Sequence, residues 1–275
     1  MPEFLTPSVF ILFRVVGAVL LFWTVKVIFV RERVEKADFM RLAACGMFGV
    51  AVNQMCFFHG LSLSSSINAG IIMTVNPIIV VVLSFFILKE KVSVQKSLGI
   101  LIGAIGAILL TLTAGTGSGD SVFGDILLFI NAASYGLYLV LVKPLMQKYS
   151  PITVITYIFT FGLLYILLYP PTLSEFFSID YSLLTQAAIF KIIYIIIGVT
   201  FLAYLLTVYA LKDLSPSVSS SYIYLQPVLV IFFAVIFAAI GISDDYTDTI
   251  TWEKVGYMLL IFLGVFITTR RKKAN

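Results

Sequence analysis

Nine separate stretches of the chain, roughly 7–29, 39–60, 66–88, 97–114, 122–142, 152–170, 186–210, 215–240 and 252–269, are apolar over the length that crosses a bilayer. About 20 residues of helix span the hydrocarbon core. In lipid a backbone N–H or C=O without a partner costs several kcal/mol, so continuous apolar runs of this length must be helical. A membrane barrel would instead show short segments of alternating polarity, and the chain has none. The expectation is an all-α membrane protein with nine predicted transmembrane helices. Composition agrees: 60% of the 275 residues are hydrophobic and 12% charged, with a mean hydropathy of +1.07. A soluble domain has about 45–50% apolar and about 25% charged residues.

The links between the runs carry charge in alternation. Lys26, Arg31, Arg33, Lys36 and Arg41 form one group, followed by Lys89, Lys91 and Lys96, then Lys143 and Lys148, then Lys212, then Arg270, Arg271, Lys272 and Lys273. The intervening links hold Asp120, Asp125, Glu175, Asp180, Asp244, Asp245, Asp248 and Glu253, with Lys254 as their one clear base. Basic loops stay in the cytoplasm. The C-terminus is therefore expected inside, loop 89–96 cytoplasmic, and loop 115–121 outside. Nine crossings then put the N-terminus of this chain outside, in a multi-pass protein of a bacterial-type inner membrane. The net charge of +4 is a topology signal on this reading, and no nucleic-acid partner is expected. Cys45 and Cys56 lie about 16 Å apart along one helix, too far for a disulfide. One histidine and no Cys/His cluster give no recognisable metal site.

The third and eighth runs share an oddity. Each places a polar residue and a proline at its centre, Asn76-Pro77 and Gln226-Pro227, and the prolines are 150 residues apart. FFHGLSLSSSINAGIIMTVNPIIVVVLSFF aligns without gaps to TVYALKDLSPSVSSSYIYLQPVLVIFFAVI. Their neighbours match as well: TPSVFILF at 6–13 with SPITVITY at 150–157, and KSLGILIGAIGAILL at 96–110 with EKVGYMLLIFLGVFI at 253–267. By charge alternation 61–65 and 211–215 lie on opposite sides. The copies are thus inverted, an arrangement that lets two similar halves exchange conformations in secondary transporters.

With these segments in place the chain resembles the EamA-type permeases of the drug/metabolite transporter superfamily. The marks are TPSVFILFR at 6–14, NQMCFFHGLSLSSSINAGIIMTVNPIIVVVLSFFILKEK at 53–91, FGDILLFINAASYGLYLVLVKPLMQKYSP at 123–151, and ALKDLSPSVSSSYIYLQPVLVIFFAVI at 210–236. The resemblance implies ten helices in two inverted halves of five, with both ends cytoplasmic. Here 122–142 opens the second half and nothing before 7–29 pairs with it, so the pattern reads 4+5. The expected division is residues 1–114, a first repeat lacking its first helix, and 122–275, a second repeat. An N-terminally truncated chain or a misplaced start is the expected cause, with a natural nine-span variant as the alternative.

Each proline removes one N–H and frees the carbonyl four residues earlier, at Met73 and Ile223. Such a group needs a partner or a watered cavity. Pro77 and Pro227 are accordingly read as hinges, with Asn76 and Gln226 beside a cavity. Asn53 and Gln54 precede the first step, and Tyr204, Tyr222 and Tyr224 are the second-half counterparts. Asn131, Ser134, Tyr135 and Tyr138 follow the i, i+3, i+4, i+7 spacing of one helical face. This polar-aromatic stripe suits an amphiphilic solute, or equally plain interhelical hydrogen bonding. Arg14, about two turns inside the first run, suits a substrate carboxylate, an anchor to headgroups or a partner for helix-end carbonyls. Lys191 is expected to snorkel and His59 to pack. The cavity candidates are therefore Arg14, Asn53, Gln54, Asn76, Asn131, Tyr135, Tyr138, Tyr204, Tyr222, Tyr224 and Gln226.

No Asp or Glu lies in the middle of any run and there is one histidine, which disfavours a carboxylate-driven proton antiporter and a membrane-embedded enzyme alike. No phosphate-binding loop is present, so ATP is not the driver, and no cofactor is expected. The expectation is a secondary transporter moving a small organic solute (an amino acid, a metabolite or a drug-like amphiphile) by alternating access. The alternative is a non-transporting membrane partner or a truncated inactive transporter. Oligomeric state is left open.

Overall fold

Apolar runs bounded by Ser or Thr become helices that begin where those residues stand. The computed structural model describes residues 5–64, 66–91, 93–113, 121–240 and 251–270. Thr6, Ser93, Ser121, Thr185 and Thr251 each accept a hydrogen bond from the N–H three residues on. This cap satisfies one of the four orphan donors at a helix start. Pro7, Pro151 and Pro216 occupy first-turn positions, where a missing N–H costs nothing. The spans are α1 (Pro7–Phe29), α2 (Phe39–Gly46, Met47–Ala51 and Val52–Leu63, in continuous succession), α3 (Ser66–Met73 and Asn76–Leu88), α4 (Val94–Leu112) and α5 (Val122–Lys148). There follow α6 (Pro151–Leu168), α7 (Gln186–Tyr194, Ile195–Leu202 and Ala203–Asp213), α8 (Pro216–Ser221, Tyr222–Leu225 and Gln226–Ala239) and α9 (Trp252–Thr269). A short helix, Pro170–Ser178, joins the α6–α7 link. Among the described residues, nine helices are long and apolar enough to cross a membrane, and the chain is a multi-pass all-α membrane protein. Positions 115–120, 244–248 and 271–273, which carry part of the charge pattern, lie outside the described residues.

Three details differ from the sequence expectation. Helix α5 runs to Lys148, past the expected end at 142. Lys143 does not stop it, because its ammonium donates to the carbonyls of Leu211, Lys212 and Leu214 at 2.7, 3.1 and 2.9 Å, the negative end of α7's dipole. The interruptions of α3 and α8 fall before the prolines: a turn at Thr74 and Val75 and a 3-10 segment at Tyr222–Leu225. The proline ring clashes with the turn behind it, so the break precedes it. Finally, α2 and α7 each widen into a π segment at Met47–Ala51 and Ile195–Leu202. Hydropathy carries no signal for that.

The inverted repeat is visible as geometry. Helices α1, α2, α3 and α4 correspond to α6, α7, α8 and α9, and both π segments and both pre-proline breaks fall at equivalent places. As the third and eighth crossings, α3 and α8 run oppositely through the membrane. The ends match too. Thr6 Oγ1 donates to Glu175 beyond α6 at 2.6 Å, and the Ser150 N–H, at the start of α6, donates to Glu32 beyond α1 at 3.0 Å.

Two cores result. The larger joins α1, α2, α5, α6 and part of α7 around Phe22, Leu42, Tyr138, Ile155, Ile158, Phe159 and Val208. The smaller joins α4, α8 and α9 around Ile100, Leu110, Tyr224, Val228 and Ile261. In the α4–α9 crossing a side chain on Gly264 would run into the backbone of Gly103. Only glycine lets the two helices meet this closely. Exposed Leu20, Phe86, Phe190 and Leu206 face where lipid lies. Helix α5 covers α2 and part of α3, and nothing described covers their counterparts in the same way. In the most apolar window, 44% of α2 is buried but only 6% of α7.

Candidate functional site

The polar face of α5 meets the π segment of α2. Widening to i→i+5 bonding leaves a carbonyl to be satisfied from outside, and polar side chains of other helices supply the donors. The Ser134 hydroxyl donates to the Phe48 carbonyl. The Tyr204 hydroxyl reaches Gly49 O and Asn53 Oδ1, each at 3.5 Å. One turn along, Asn131 and Asn53 exchange side-chain bonds: Asn131 Nδ2 donates to Asn53 O at 2.7 Å, and Asn53 Nδ2 to Asn131 O at 3.5 Å. The Tyr138 ring fills the space beside Gly49, and its buried hydroxyl has no partner. Tyr135 lies against Tyr138 with ring centroids 5.7 Å apart.

The π segment of α7 faces α1. Thr200 Oγ1 donates to Ile195 O, five residues back, at 3.0 Å, and accepts from Arg14 Nε at 3.0 Å. The Arg14 guanidinium lies 5.6 and 5.0 Å from the rings of Phe10 and Phe58. The Tyr204 hydroxyl is near Arg14 and within hydrogen-bonding reach of Gln54, but the geometry of that contact is poor and the buried Gln54 amide has no well-formed bond.

At the proline steps, Asn76 Nδ2 donates to Ala132 O on α5 at 2.6 Å. The amide thus serves another helix and not the carbonyl of Met73. Tyr224 Oη donates to Thr74 O at 3.2 Å. Residues 74 and 224 are equivalent in the repeat, as are 54 and 204. Equivalent residues meet only on a two-fold axis, so both meetings put the pseudo-symmetry axis through this polar layer. Two cavities flank it. One, about 440 Å³, is lined by Tyr135, Thr207, Ser219, Ser220, Tyr222 and Gln226 with apolar neighbours. The other, about 370 Å³, is lined by Thr74, Thr111, Gln226, Pro227 and apolar residues.

The chain matches the EamA-like transporter family over residues 1–112 and 122–270. The chain belongs to the EamA-like transporter family. Among its relatives, the uncharacterized transporter YetK of Bacillus subtilis is 27% identical over 86% of this chain and 70% of its own length. An uncharacterized transporter of Archaeoglobus fulgidus is 26% identical over 90% of this chain and 83% of its own. A solved crystal structure shares the fold, with a TM-score of 0.72 at 18% identity, covering 98% of this chain and 89% of that one.

In this EamA-like transporter the site residues read from the sequence fall into three groups. Arg14, Asn53, Gln54, Asn131, Tyr138 and Tyr204 form a closed polar layer at mid-span. Tyr135, Tyr222 and Gln226 line the larger cavity. Asn76 and Tyr224 are buried and hold α3 to α5 and to α8 respectively. His59 sits beside Ser8, 3.3 Å away, and Lys191 is exposed. Thr200, Thr207, Ser219 and Ser220 were missed. Single hydroxyls in the apolar runs IIIGVTFL and AYLLTVYA and in the Ser-rich start of α8 gave no period to pick out. The layer is costly to build. A cation at bilayer depth costs about 2.5–3.5 kcal/mol on insertion scales, and each buried unsatisfied polar group about 1–3 kcal/mol. The interhelical amide bonds return only about 0.6 kcal/mol apiece. Stability alone would favour an apolar layer here. The described residues hold no cluster of three metal-ligating side chains.

Proposed function

We propose that this EamA-like transporter moves a small organic solute by alternating access, with residues 1–114 and 122–275 as its two inverted arms. The observation that supports this best is the bond between equivalent positions, Tyr224 Oη to Thr74 O. It joins the two pre-proline breaks at the pseudo-axis, beside a cavity of about 440 Å³. A site on such an axis is reached equally from either side when the halves exchange conformations. Pro77 and Pro227 are the hinges. The breaks ahead of them leave α3 and α8 each in two pieces that can tilt separately. Tyr135, Thr207, Tyr222 and Gln226 supply hydrogen-bonding groups on an apolar wall, which suits an amphiphilic solute. The orientation proposed is the one the loop charges give, C-terminus in the cytoplasm and residue 7 outside. The test is solute flux in reconstituted vesicles. Uptake or efflux above protein-free vesicles, reduced by Gln226→Leu, supports the reading; absence of flux for every solute class tried opposes it.

A second reading, a membrane partner of another protein, is favoured by the bare face of α7. Co-purification of this chain with another membrane protein, coupled with absence of flux from the chain alone, would select it.

A further inference from the structure

Among the described residues, no carboxylate pairs with the cation buried inside a span, Arg14. Arg14 is 7% exposed, and its α1 position puts it among helices α2 and α7 at mid-span. Among the described residues the ion pairs are Lys96–Glu90, Lys148–Glu35 and Lys148–Asp38, all near helix ends. Of the five N–H donors of Arg14, one is used, Nε to Thr200. The Phe10 and Phe58 rings attract the cation but offer no lone pair to its terminal nitrogens. A planar guanidinium with its two-nitrogen edge free matches the two oxygens of a carboxylate.

Gln54 supplies an independent observation. It is 3% exposed, and the Tyr204 hydroxyl is within reach of its amide, which leaves at least one end of that amide open. Native structures rarely leave such a group open unless something else satisfies it. The amide and the cation share a neighbour in the Tyr204 hydroxyl. A cationic fork with open donors, an amide with an open end and a phenol therefore converge from three helices on one layer. The layer is closed in this conformation, and the cavity of about 440 Å³ ends one turn away at Thr207, after Tyr204 on α7.

We infer that Arg14, Gln54, Tyr204 and Thr200 form a carboxylate-binding site, and that the solute carried bears a carboxylate. The inference rests on the transporter reading above and narrows its substrate class to organic acids and zwitterions. Binding brings a negative charge to a cation already inside a low-dielectric layer, so the acid is preferred over its uncharged amide. Thr200 aims the guanidinium, and Gln54 and Tyr204 complete the shell around the carboxylate or the group next to it.

The test uses paired soluble probes on the purified full chain in detergent: L-leucine and L-leucinamide, benzoate and benzamide, succinate and succinamide. Binding is read by thermal stabilisation and titration. We expect at least one acid to bind roughly tenfold or more tightly than its amide, as a charge-assisted bidentate contact implies. Arg14→Gln should bring that ratio to about one. Gln54→Leu should weaken binding while keeping the preference, since the charge remains. If Arg14→Gln does not fold, Arg14→Lys decides, because it keeps the charge but loses the fork. An acid preference reduced several-fold supports the site, and an unchanged one overturns it. No preference in the unmodified protein, or a preference that survives Arg14→Gln, also overturns it. An arm with oleate and with phosphatidylserine nanodiscs covers a lipid source. Stabilisation there, with none by a soluble acid, overturns the inference. Flux of uncharged solutes without any acid preference would sink this inference and leave the transporter reading standing. Absence of flux for all solutes would sink the transporter reading itself.

Discussion

Asn76 and Gln226 hold equivalent places in the two copies and live in different surroundings. Asn76 is 1% exposed and bonded to the Ala132 carbonyl of α5. Gln226 is exposed, between two cavities. The sequence placed both beside a proline at mid-span but could not separate them, since the difference comes from a third helix and not from the local pattern. Their substitutions should therefore diverge. Asn76→Leu removes a buried interhelical bond and leaves a carbonyl open, a loss of about 1–2 kcal/mol of stability. Gln226→Leu should stay within about 0.5 kcal/mol, as exposed substitutions do, while weakening solute binding in the cavity. Denaturation in detergent and a binding titration, run on both variants, separate the two. Equal losses of stability would show that Gln226 is structural as well. The same residue-level limit explains Thr200. Its hydroxyl became visible as a ligand of Arg14 only once α1 and α7 were seen side by side.

At the scale of helices, the spans were legible because lipid imposes one rule on every residue of a crossing, and hydropathy reads that rule directly. The α5 stripe was legible because Asn131, Ser134, Tyr135 and Tyr138 obey the helical period. Its partners were not, since a backbone carbonyl such as Asn53 O or Phe48 O has no sequence signature. The π segments were invisible for a related reason: the change from i+4 to i+5 bonding alters no side-chain type. The proline steps were legible as breaks, though the break proved to lie one turn ahead of each ring. This placement gives a prediction about motion. Pro77→Ala and Pro227→Ala each add an N–H and remove the ring that clashes with the preceding turn, and so favour an unbroken helix, although Ile223 O already accepts from the Gln226 N–H. Membrane insertion and yield should be kept while vesicle flux slows. Unchanged flux in the double variant would mean that neither step is a hinge. Gly264→Leu should behave in the opposite way. Its side chain would overlap Gly103, an overpacking that costs about 1–3 kcal/mol. Melting temperature should fall even where a binding titration on the folded fraction is unchanged.

Across the whole molecule, one element of the inverted repeat has no counterpart among the described residues. Helix α5 lies over α2 and α3, fixing Asn76 through Ala132 O and filling the space beside Gly49 with Tyr138. The equivalent strip on α7 and α8 runs past Leu206, Gln226 and Leu229, and all three are exposed. The larger cavity opens along this strip, which is lined by Leu206, Thr207, Ala210, Tyr222 and Gln226. Symmetry says what a cover would do there. A tenth apolar helix, supplied in the same chain or by another, would wall the cavity on its open side. It would also offer Gln226 a backbone carbonyl, as α5 offers one to Asn76. We expect such a helix to raise the melting temperature and to speed flux, because a walled cavity excludes lipid from the solute path. The decisive sign is a change in one variant. Gln226→Leu, nearly neutral for stability in the nine-helix chain, should cost about 1–2 kcal/mol once the tenth helix is present, matching Asn76→Leu. A Gln226→Leu cost that stays near zero in the ten-helix form would mean that the added helix does not occupy the place α5's symmetry assigns to it.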